Sequence, residues 1–212
     1  ETVFFFFSMD GDLSPVDTVA RLAHEHDAML LVDEAHALGV FGTEGRGCSR
    51  RPNDRADLAT VPDLMTGTLG KALGSYGGFC ACSAFLRDYL INCARTFIFS
   101  TALPPATIAA ARASLRIIRR TPEGGPALLA QARRFHDRLA AAGLTLPAFS
   151  SQIVPVMIGD NARTVATAQA LESEHIRVTG IRPPTVPQGT ARIRLSVTSA
   201  HTADDLDRAA AA

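Results

Sequence analysis

Tryptophan is absent from this sequence, and only two tyrosines and four cysteines occur among its 212 residues. An excess of charge of either sign is also missing, because 21 basic side chains are matched by 21 acidic ones. This balance removes the electrostatic reason to expect nucleic acid or an anionic membrane as a partner. The longest apolar runs, such as residues 29–32, are far too short to span a bilayer. We therefore expect neither a nucleic-acid nor a membrane partner.

The few cysteines are not spaced as metal ligands. Cys48, Cys80, Cys82 and Cys93 contain no CxxC pair, so we expect no structural zinc site. Cys80 and Cys82 alternate with Ala81 on a predicted buried strand, where reduced thiols usually lie. The pattern indicates a reducing cytoplasm.

The two ends of the sequence lack the features of a natural start and stop. The first residue is not methionine, and the chain opens directly into the aromatic block Phe4–Phe7. Residues 204–212 have a helical pattern that stops without an end signal. We expect a fragment of a longer protein.

Helical and strand patterns alternate along the chain, which predicts an α/β fold. In the first part, helices are predicted to begin at Ser14-Pro15 and Pro104-Pro105, with strands over 29–32, 64–67 and 79–83. A linker is predicted over 121–126. It is followed by a helix (127–142), a strand (152–158), a helix capped by Asp160 or Asn161, strands near 176–180 and 191–198, and a helix from Thr202. The sequence predicts an α/β domain with a mainly parallel sheet over residues 1–121 and a small α+β domain over 122–212.

A single lysine lies in the glycine-hinged turn Thr66–Ser75. A Walker A phosphate loop would need a further glycine at position 65 and a hydroxyl at position 72, where the sequence has Met65 and Ala72. The alternatives that remain are an exposed lysine on a turn and a lysine nucleophile, Lys71. The surrounding glycines favour a turn whose backbone packs close to another group.

The second candidate motif is Asp33-Glu34-Ala35-His36, at the end of an apolar run. Its letters match a helicase box, but no phosphate loop or basic face accompanies them. Asp33 either caps the next turn or holds a heterocyclic nitrogen protonated. A lysine nucleophile, a carboxylate for a ring nitrogen and a small-residue phosphate turn together suggest pyridoxal 5'-phosphate (PLP). In that case His36 lies near the phenolic oxygen of the ring or the substrate, and Ala35 packs on a ring face.

Arginines near the carboxyl end form the third candidate. Arg192 and Arg194 alternate on a predicted strand, which places both on one face, and Arg182 begins a proline-rich loop. The face is either solvated or holds a substrate carboxylate between guanidinium groups.

Five segments occur in an order that resembles the α-oxoamine synthases, a branch of the fold-type I PLP-dependent enzymes. They are Ser8–Asp12, Val32–His36, Gly45–Gly47, Thr66–Ser75 and Ile181–Arg194. The resemblance implies that Lys71 forms a Schiff base with PLP, that Asp33 meets the pyridine nitrogen and that His36 contacts the phenolic oxygen. It also implies that Ser8 and Thr68 help to hold cofactor oxygens or phosphate.

The same resemblance implies the substrate and partner contacts. Arg194 would bind the carboxylate of the amino acid, Thr185 would lie in the neighbourhood of the acyl substrate, and Arg182 would also bind substrate. Ser100 and Thr101 match a segment that reaches the phosphate on a partner subunit, which implies a homodimer.

For activity, the resemblance implies a decarboxylative condensation of an amino acid with an acyl thioester carried by CoA or a carrier protein. L-Alanine with a pimeloyl thioester, a step of biotin synthesis, is the expected pair, and glycine with an acetyl thioester is the alternative. A third reading is a non-catalytic truncated chain. Because the amino-terminal half of the family pattern is absent, the 212 residues alone are expected to be inactive.

Overall fold

A computed structural model describes residues 8–49 and 61–212, so the Phe4–Phe7 block and the middle of the connection before Asp63 lie outside the described residues. The described chain forms two compact units. Residues 14–49 and 61–125 make the first unit, and residues 8–13 and 126–212 make the second. The break thus follows residue 125 rather than 121, and the sequence did not predict that residues 8–13 group with the second unit.

The first unit contains a three-stranded sheet in the order β1-β2-β3. Strands β1 and β2 are parallel, as expected, and β3 turns antiparallel to β2. The elements are α1 (Val16–Glu25), β1 (Leu31–Asp33), a 3-10 turn (Thr43–Gly45), β2 (Leu64–Thr68), β3 (Gly78–Cys82), α2 (Ala84–Cys93), α3 (Arg95–Ile98) and α4 (Pro105–Arg120).

Three expectations for this unit are wrong in detail. Helix α1 begins at Val16, after the predicted start at Ser14-Pro15, with Pro15 at its N-cap position and no side-chain cap. Strand β1 begins at Leu31 rather than at Met29, whose side chain is half exposed. Strand β3 is not buried: Cys80 is exposed and Cys82 is partly exposed, because β3 lies at the edge of the described sheet.

The second unit contains a separate antiparallel sheet in the order β4-β6-β5. Its elements are α5 (Gly124–Ala141), β4 (Ile153–Gly159), α6 (Asn161–Ser173), β5 (Thr179–Ile181), β6 (Ala191–Ser196) and α7 (Ala203–Ala211). A buried cluster joins α5 and α7 to β4 and the residue after β6: Ala132, Phe135, Leu139, Val154, Val197 and Leu206. This arrangement is that of a small α+β layer with its own core.

Local signals fix where the helices of the second unit begin. Asp160 caps α6 by accepting a hydrogen bond from the Arg163 backbone N–H, at 2.8 Å, and Thr202 caps α7 with Asp205 in a capping box. The observed linker is shorter than the predicted segment 121–126, because α5 already begins at Gly124. Strand β5 begins only at Thr179, later than the predicted residue 176.

Within the described residues, no helix is long and apolar enough to cross a membrane.

Candidate active site

The carboxyl ends of β1 and β2 place two predicted motifs at one edge of the sheet. In the parallel register, Leu31 lies opposite Leu64 and Asp33 lies opposite Thr66. Parallel strands end at the same edge, and ligands of α/β proteins bind there. The residues that follow Asp33 and those that lead to Lys71 therefore leave the sheet side by side.

The loops that follow these two strands are also in direct contact. A Cβ added to Gly39 would lie 2.8 Å from the Cβ of Ala72, the residue after Lys71. Gly39 has φ +79°, a conformation that favours glycine, and its N–H donates to the carbonyl oxygen of Gly45 at 2.7 Å. The Gly45-Arg46-Gly47 motif thus holds the loop after β1 against the lysine turn.

Backbone hydrogen bonds close the lysine turn. The Leu69 N–H donates to the Gly77 carbonyl, and the Ser75 N–H donates to the Leu69 carbonyl, both at 2.8 Å. Inside this ring, the Gly74 N–H donates to the Lys71 carbonyl at 2.9 Å. Lys71 is exposed at the tip of a closed turn rather than on a loose loop.

Helix α4 packs against the lysine turn and is hydrogen-bonded to it. Leu73 is 1% exposed and packs in one cluster with Ala111 of α4. The Ser75 hydroxyl donates to the Thr107 carbonyl at 2.8 Å, and the Ser114 hydroxyl donates to the Leu73 carbonyl at 2.9 Å. Rigid support of this kind keeps a reactive side chain in a defined place.

Glycine is required around Lys71 for two different reasons, a close neighbour or a positive φ. A Cβ on Gly67 would lie 2.5 Å from the Phe79 ring on β3, and one on Gly77 would lie 2.6 Å from Leu103. Gly74, with φ +54°, has open space around its Cα. The close approach predicted from the sequence therefore exists, and at Gly67 and Gly77 the neighbour is a side chain of the protein itself.

Asp33 has the turn-capping contact that the sequence left open as an alternative. One oxygen of its carboxylate accepts the Ala35 N–H at 2.7 Å. A carboxylate has about four acceptor positions on two oxygens, so this bond leaves capacity for a ring N–H. Asp33, Ala35 and His36 are all partly exposed at the sheet edge.

Thr68 ends β2 and stabilises the start of the lysine turn. Its hydroxyl accepts the Gly70 N–H at 3.1 Å and lies 3.2 Å from the Gly77 carbonyl oxygen, to which it donates. The hydroxyl therefore supports the turn, whatever ligand it also contacts.

The role of Glu34 was not predicted from the sequence. Its side chain is 1% exposed, and its two carboxylate oxygens accept the N–H groups of Cys48 at 2.9 Å and Ser49 at 2.7 Å. A Cβ on Gly47 would lie 2.6 Å from this carboxylate, so only glycine fits there. Glu34 fixes the loop after β1, and Gly47 was the one sequence signal that could have indicated it.

In the second unit, the two β6 arginines lie on one face, as their alternation predicted. Arg194 donates from Nη1 to the Ser8 carbonyl oxygen at 2.9 Å, and Arg192 pairs with the Asp10 carboxylate. Two buried polar atoms here have no hydrogen-bond partner among the described residues: Arg194 Nε and the Ser8 hydroxyl. Such atoms are expected where a polar ligand binds.

The remaining predicted residues are Arg182, Thr185, Ser100 and Thr101. Arg182 lines a cleft of about 330 Å³ beside α6, and the exposed Thr185 donates its N–H to the Arg182 carbonyl at 3.1 Å. Ser100 and Thr101 are exposed after α3, where the Ser100 hydroxyl donates to the Thr96 carbonyl. The part of the chain that the structure describes contains no group of three or more His, Cys, Asp or Glu that could hold a metal ion.

With this architecture and site, the class of protein follows from comparison with known sequences. The chain belongs to the aminotransferase class I and II family, whose sequence profile matches residues 6–212. It is 47% identical over 202 residues to the 8-amino-7-oxononanoate synthase of Hahella chejuensis, a match that covers 95% of this chain and 50% of the relative. The chain spans about half the length of the curated relatives it matches.

Solved structures agree on the fold. The serine palmitoyltransferase of S. paucimobilis with a bound PLP-myriocin aldimine superposes with a TM-score of 0.89 and 32% identity, over 99% of this chain and 52% of that one. The 8-amino-7-oxononanoate synthase of Francisella tularensis gives a TM-score of 0.78 and 27% identity, over 98% of this chain and 59% of that one. The predicted α/β fold of the fold-type I PLP-dependent enzymes is confirmed.

Proposed function

We propose that this chain belongs to a PLP-dependent acyltransferase that condenses L-alanine with a pimeloyl thioester and releases CO₂, giving 8-amino-7-oxononanoate for biotin synthesis. The observation that carries the proposal is the parallel register of β1 and β2, which brings Asp33 and the Lys71 turn to one sheet edge. The names of several relatives at 43–48% identity support the choice of substrates.

The residues of the first unit fit PLP. A closed turn presents an amine, Lys71, and the neighbouring loop presents a carboxylate, Asp33, with a small residue and a histidine after it. When bound, PLP supplies an electron sink that stabilises negative charge at the α-carbon of an amino acid. Asp33 would keep the ring nitrogen protonated, and Ala35, His36 and Thr68 would contact the ring, its phenolic oxygen and the phosphate. For Ser8, which belongs to the second unit, a contact with cofactor oxygens or phosphate is proposed only from its place in the family motif.

Lys71 would serve twice. Its Nζ would hold the cofactor covalently, and the same amine would accept the proton of the amino acid's α-carbon. The turn that carries Lys71 is anchored to α4 by the hydrogen bond from the Ser75 hydroxyl to the Thr107 carbonyl.

Arg194 would bind the carboxylate of the amino acid through the nitrogens that its contact with Ser8 leaves available. Arg182 and Thr185 would contact the acyl thioester, whose carrier is CoA or an acyl carrier protein. Ser100 and Thr101 would reach the phosphate of a second subunit in a homodimer. None of the four cysteines, all of which the structure describes, is in a disulfide, which supports a reducing cytoplasm.

A specific observation favours a second candidate. Serine palmitoyltransferases give TM-scores of 0.88–0.89 at 31–32% identity, which supports L-serine with a long-chain thioester as an alternative pair. Glycine with an acetyl thioester remains the other alternative.

One assay separates these substrates. The complete gene product is supplied with alanine, glycine or serine, each with pimeloyl, acetyl or palmitoyl thioesters, and CO₂ and free thiol are measured. Turnover confined to alanine and the pimeloyl thioester is expected. A preference for another pair would contradict the proposed substrates.

Borohydride reduction with PLP tests the nucleophile. Lys71 is the only lysine in the sequence, so a side-chain adduct in this chain has a single expected position, read by peptide mass spectrometry. An adduct on another residue of the complete protein would contradict the assignment.

The 212-residue chain alone is expected to bind PLP weakly and to turn over no substrate.

A further inference from the structure

We propose that Asp10 and Arg192 form a positioning pair that holds Arg194 and Ser8 in place for an amino-acid carboxylate, without touching the substrate. The inference rests on the proposed function for the identity of the ligand. It assigns different tasks to the two arginines of β6, which the alternating sequence pattern presents as equivalent.

Each of the three guanidinium nitrogens of Arg192 already has a partner within the protein. Its Nε donates to the Thr190 carbonyl and its Nη2 to the Thr190 hydroxyl, both at 3.0 Å, while Nη1 pairs with Asp10. The Arg192 side chain is 7% exposed. A buried guanidinium whose three nitrogens are all engaged is a structural group rather than a ligand-binding one.

Arg194 shows the opposite pattern. Its Nη1 donates to the Ser8 carbonyl, but its Nε is buried and has no hydrogen-bond partner among the described residues. The buried Ser8 hydroxyl also lacks a described partner. Leaving such buried atoms without partners is energetically costly, so their occurrence on two touching residues points to a ligand that satisfies them.

The segment that carries Ser8 and Asp10 is fixed at a third point. Gly11 has φ +71°, and a Cβ on it would lie 2.4 Å from the Ile153 carbonyl oxygen on β4. The Ser150 hydroxyl donates to the Gly11 carbonyl oxygen at 2.9 Å. Asp10 therefore links a segment clamped to β4 with a side chain of β6.

The geometry explains how the pair would act at a distance. Arg192 and Arg194 are two residues apart on one strand face, and Asp10 and Ser8 are two residues apart on the segment opposite. Loss of the Asp10 charge leaves Arg192 buried without its counter-ion, and the segment can then shift relative to β6. A shift of this kind would move the Ser8 carbonyl that orients Arg194.

The test compares Asp10→Asn with Asp12→Asn in the complete gene product. Asp12 is an exposed carboxylate of the same segment and serves as the matched control. The KM for the amino acid and its Kd, read from the absorbance of bound cofactor, are expected to rise in Asp10→Asn by roughly 10- to 100-fold, the range known for partners of metal ligands. The kcat and the KM for the thioester should change by less than about twofold, because only amino-acid binding is affected.

A second readout does not depend on catalysis. The Nε–H signal of Arg194 in a ¹⁵N spectrum of this chain, assigned with Arg194→Lys, is expected to shift in Asp10→Asn and to stay in place in Asp12→Asn. Arg192→Lys, which keeps the charge but loses the fork of donors, should produce the same shift, and melting curves show whether each variant is folded.

The outcomes separate the two proposals. An unchanged Arg194 signal in folded Asp10→Asn, or a KM equal to that of Asp12→Asn, overturns the positioning role. A wild-type protein that accepts no amino acid overturns the proposed function, while the spectrum still decides the positioning role.

Discussion

The two sheets of this protein differ in how completely their own unit covers them. In the second unit, Val154 of β4 is 1% exposed and Phe135 of α5 is 3% exposed, so strands and helices share one core. In the first unit, helices α2 and α3 contribute no buried residue. Large side chains there face outward: Tyr76 (75%), Phe85 (79%), Phe97 (63%) and Phe99 (79%).

The second unit buries its apolar side chains in its own core, whereas the first unit leaves large apolar side chains exposed. Monomeric soluble proteins rarely expose contiguous apolar surface on this scale. In our proposal, the lysine turn belongs to the first unit, and Arg194, the arginine that binds the carboxylate, belongs to the second unit. The predictions below test this division.

The largest expected effect is on the chemistry assigned to the first unit. Lys71→Ala in the complete gene product should lower kcat by about 10³-fold or more, because both the covalent link and the proton acceptor are lost. Thioester turnover and borohydride labelling measure the effect. Retention of full activity would refute the role of Lys71.

The next effect is on core stability. Phe135→Ala in this chain should lower the free energy of unfolding by about 3–5 kcal/mol, because it leaves a cavity between α5 and the sheet. Phe99→Ala, at an exposed position of the first unit, should change it by less than about 0.5 kcal/mol. Urea denaturation followed by circular dichroism measures both, and equal losses would contradict the contrast between the units.

A smaller effect is expected within the first unit, at Glu34. Glu34→Ala leaves two N–H groups without their acceptor and should cost about 2 kcal/mol or more of stability. Hydrogen exchange at the Cys48 and Ser49 amides should accelerate. Glu44→Gln, which alters an exposed side chain paired with Arg46, is the control and should leave both amides protected.

The smallest effect is the pH dependence of helix α7 in the second unit. Hydrogen bonds from Thr202 lower the pKa of Asp205 below its ordinary value of 3.8. A lowered carboxyl pKa gives stability that is present above the unfolded-state pKa and is lost as the pH falls through the folded-state pKa. Helix content near α7 should therefore fall below about pH 4, more in wild type than in Thr202→Ala. Circular dichroism against pH checks this, with Asp204→Asn as the control.

Most of the first unit's candidate site could be predicted from local patterns. The apolar run before Asp33 and the glycines around Lys71 indicated a strand end and a turn, and the structure brings their loops into contact at Gly39 and Ala72. The Cys80 strand was wrongly expected to be buried. The composition of β3 is typical of a buried strand. Its burial, however, depends on which elements pack against it, and β3 is the edge strand of the described sheet.

The second unit shows the same limit. Alternation correctly placed Arg192 and Arg194 on one face. It could not show that all three guanidinium nitrogens of Arg192 have partners within the protein, whereas Nε of Arg194 has none among the described residues. That distinction depends on Asp10 and Ser8, which lie 182 and 186 residues away in sequence.

The sequence by itself determined the order and type of most helices and strands, which residues share a face and which family the motifs resemble. Those properties arise from capping, turn chemistry and periodicity, which act over a few residues. Tertiary structure alone decided that Glu34 holds the loop at Cys48 and Ser49, and that residues 8–13 join the second unit. A buried polar group must be satisfied by whichever distant atoms the packing brings to it, and no local pattern specifies those atoms.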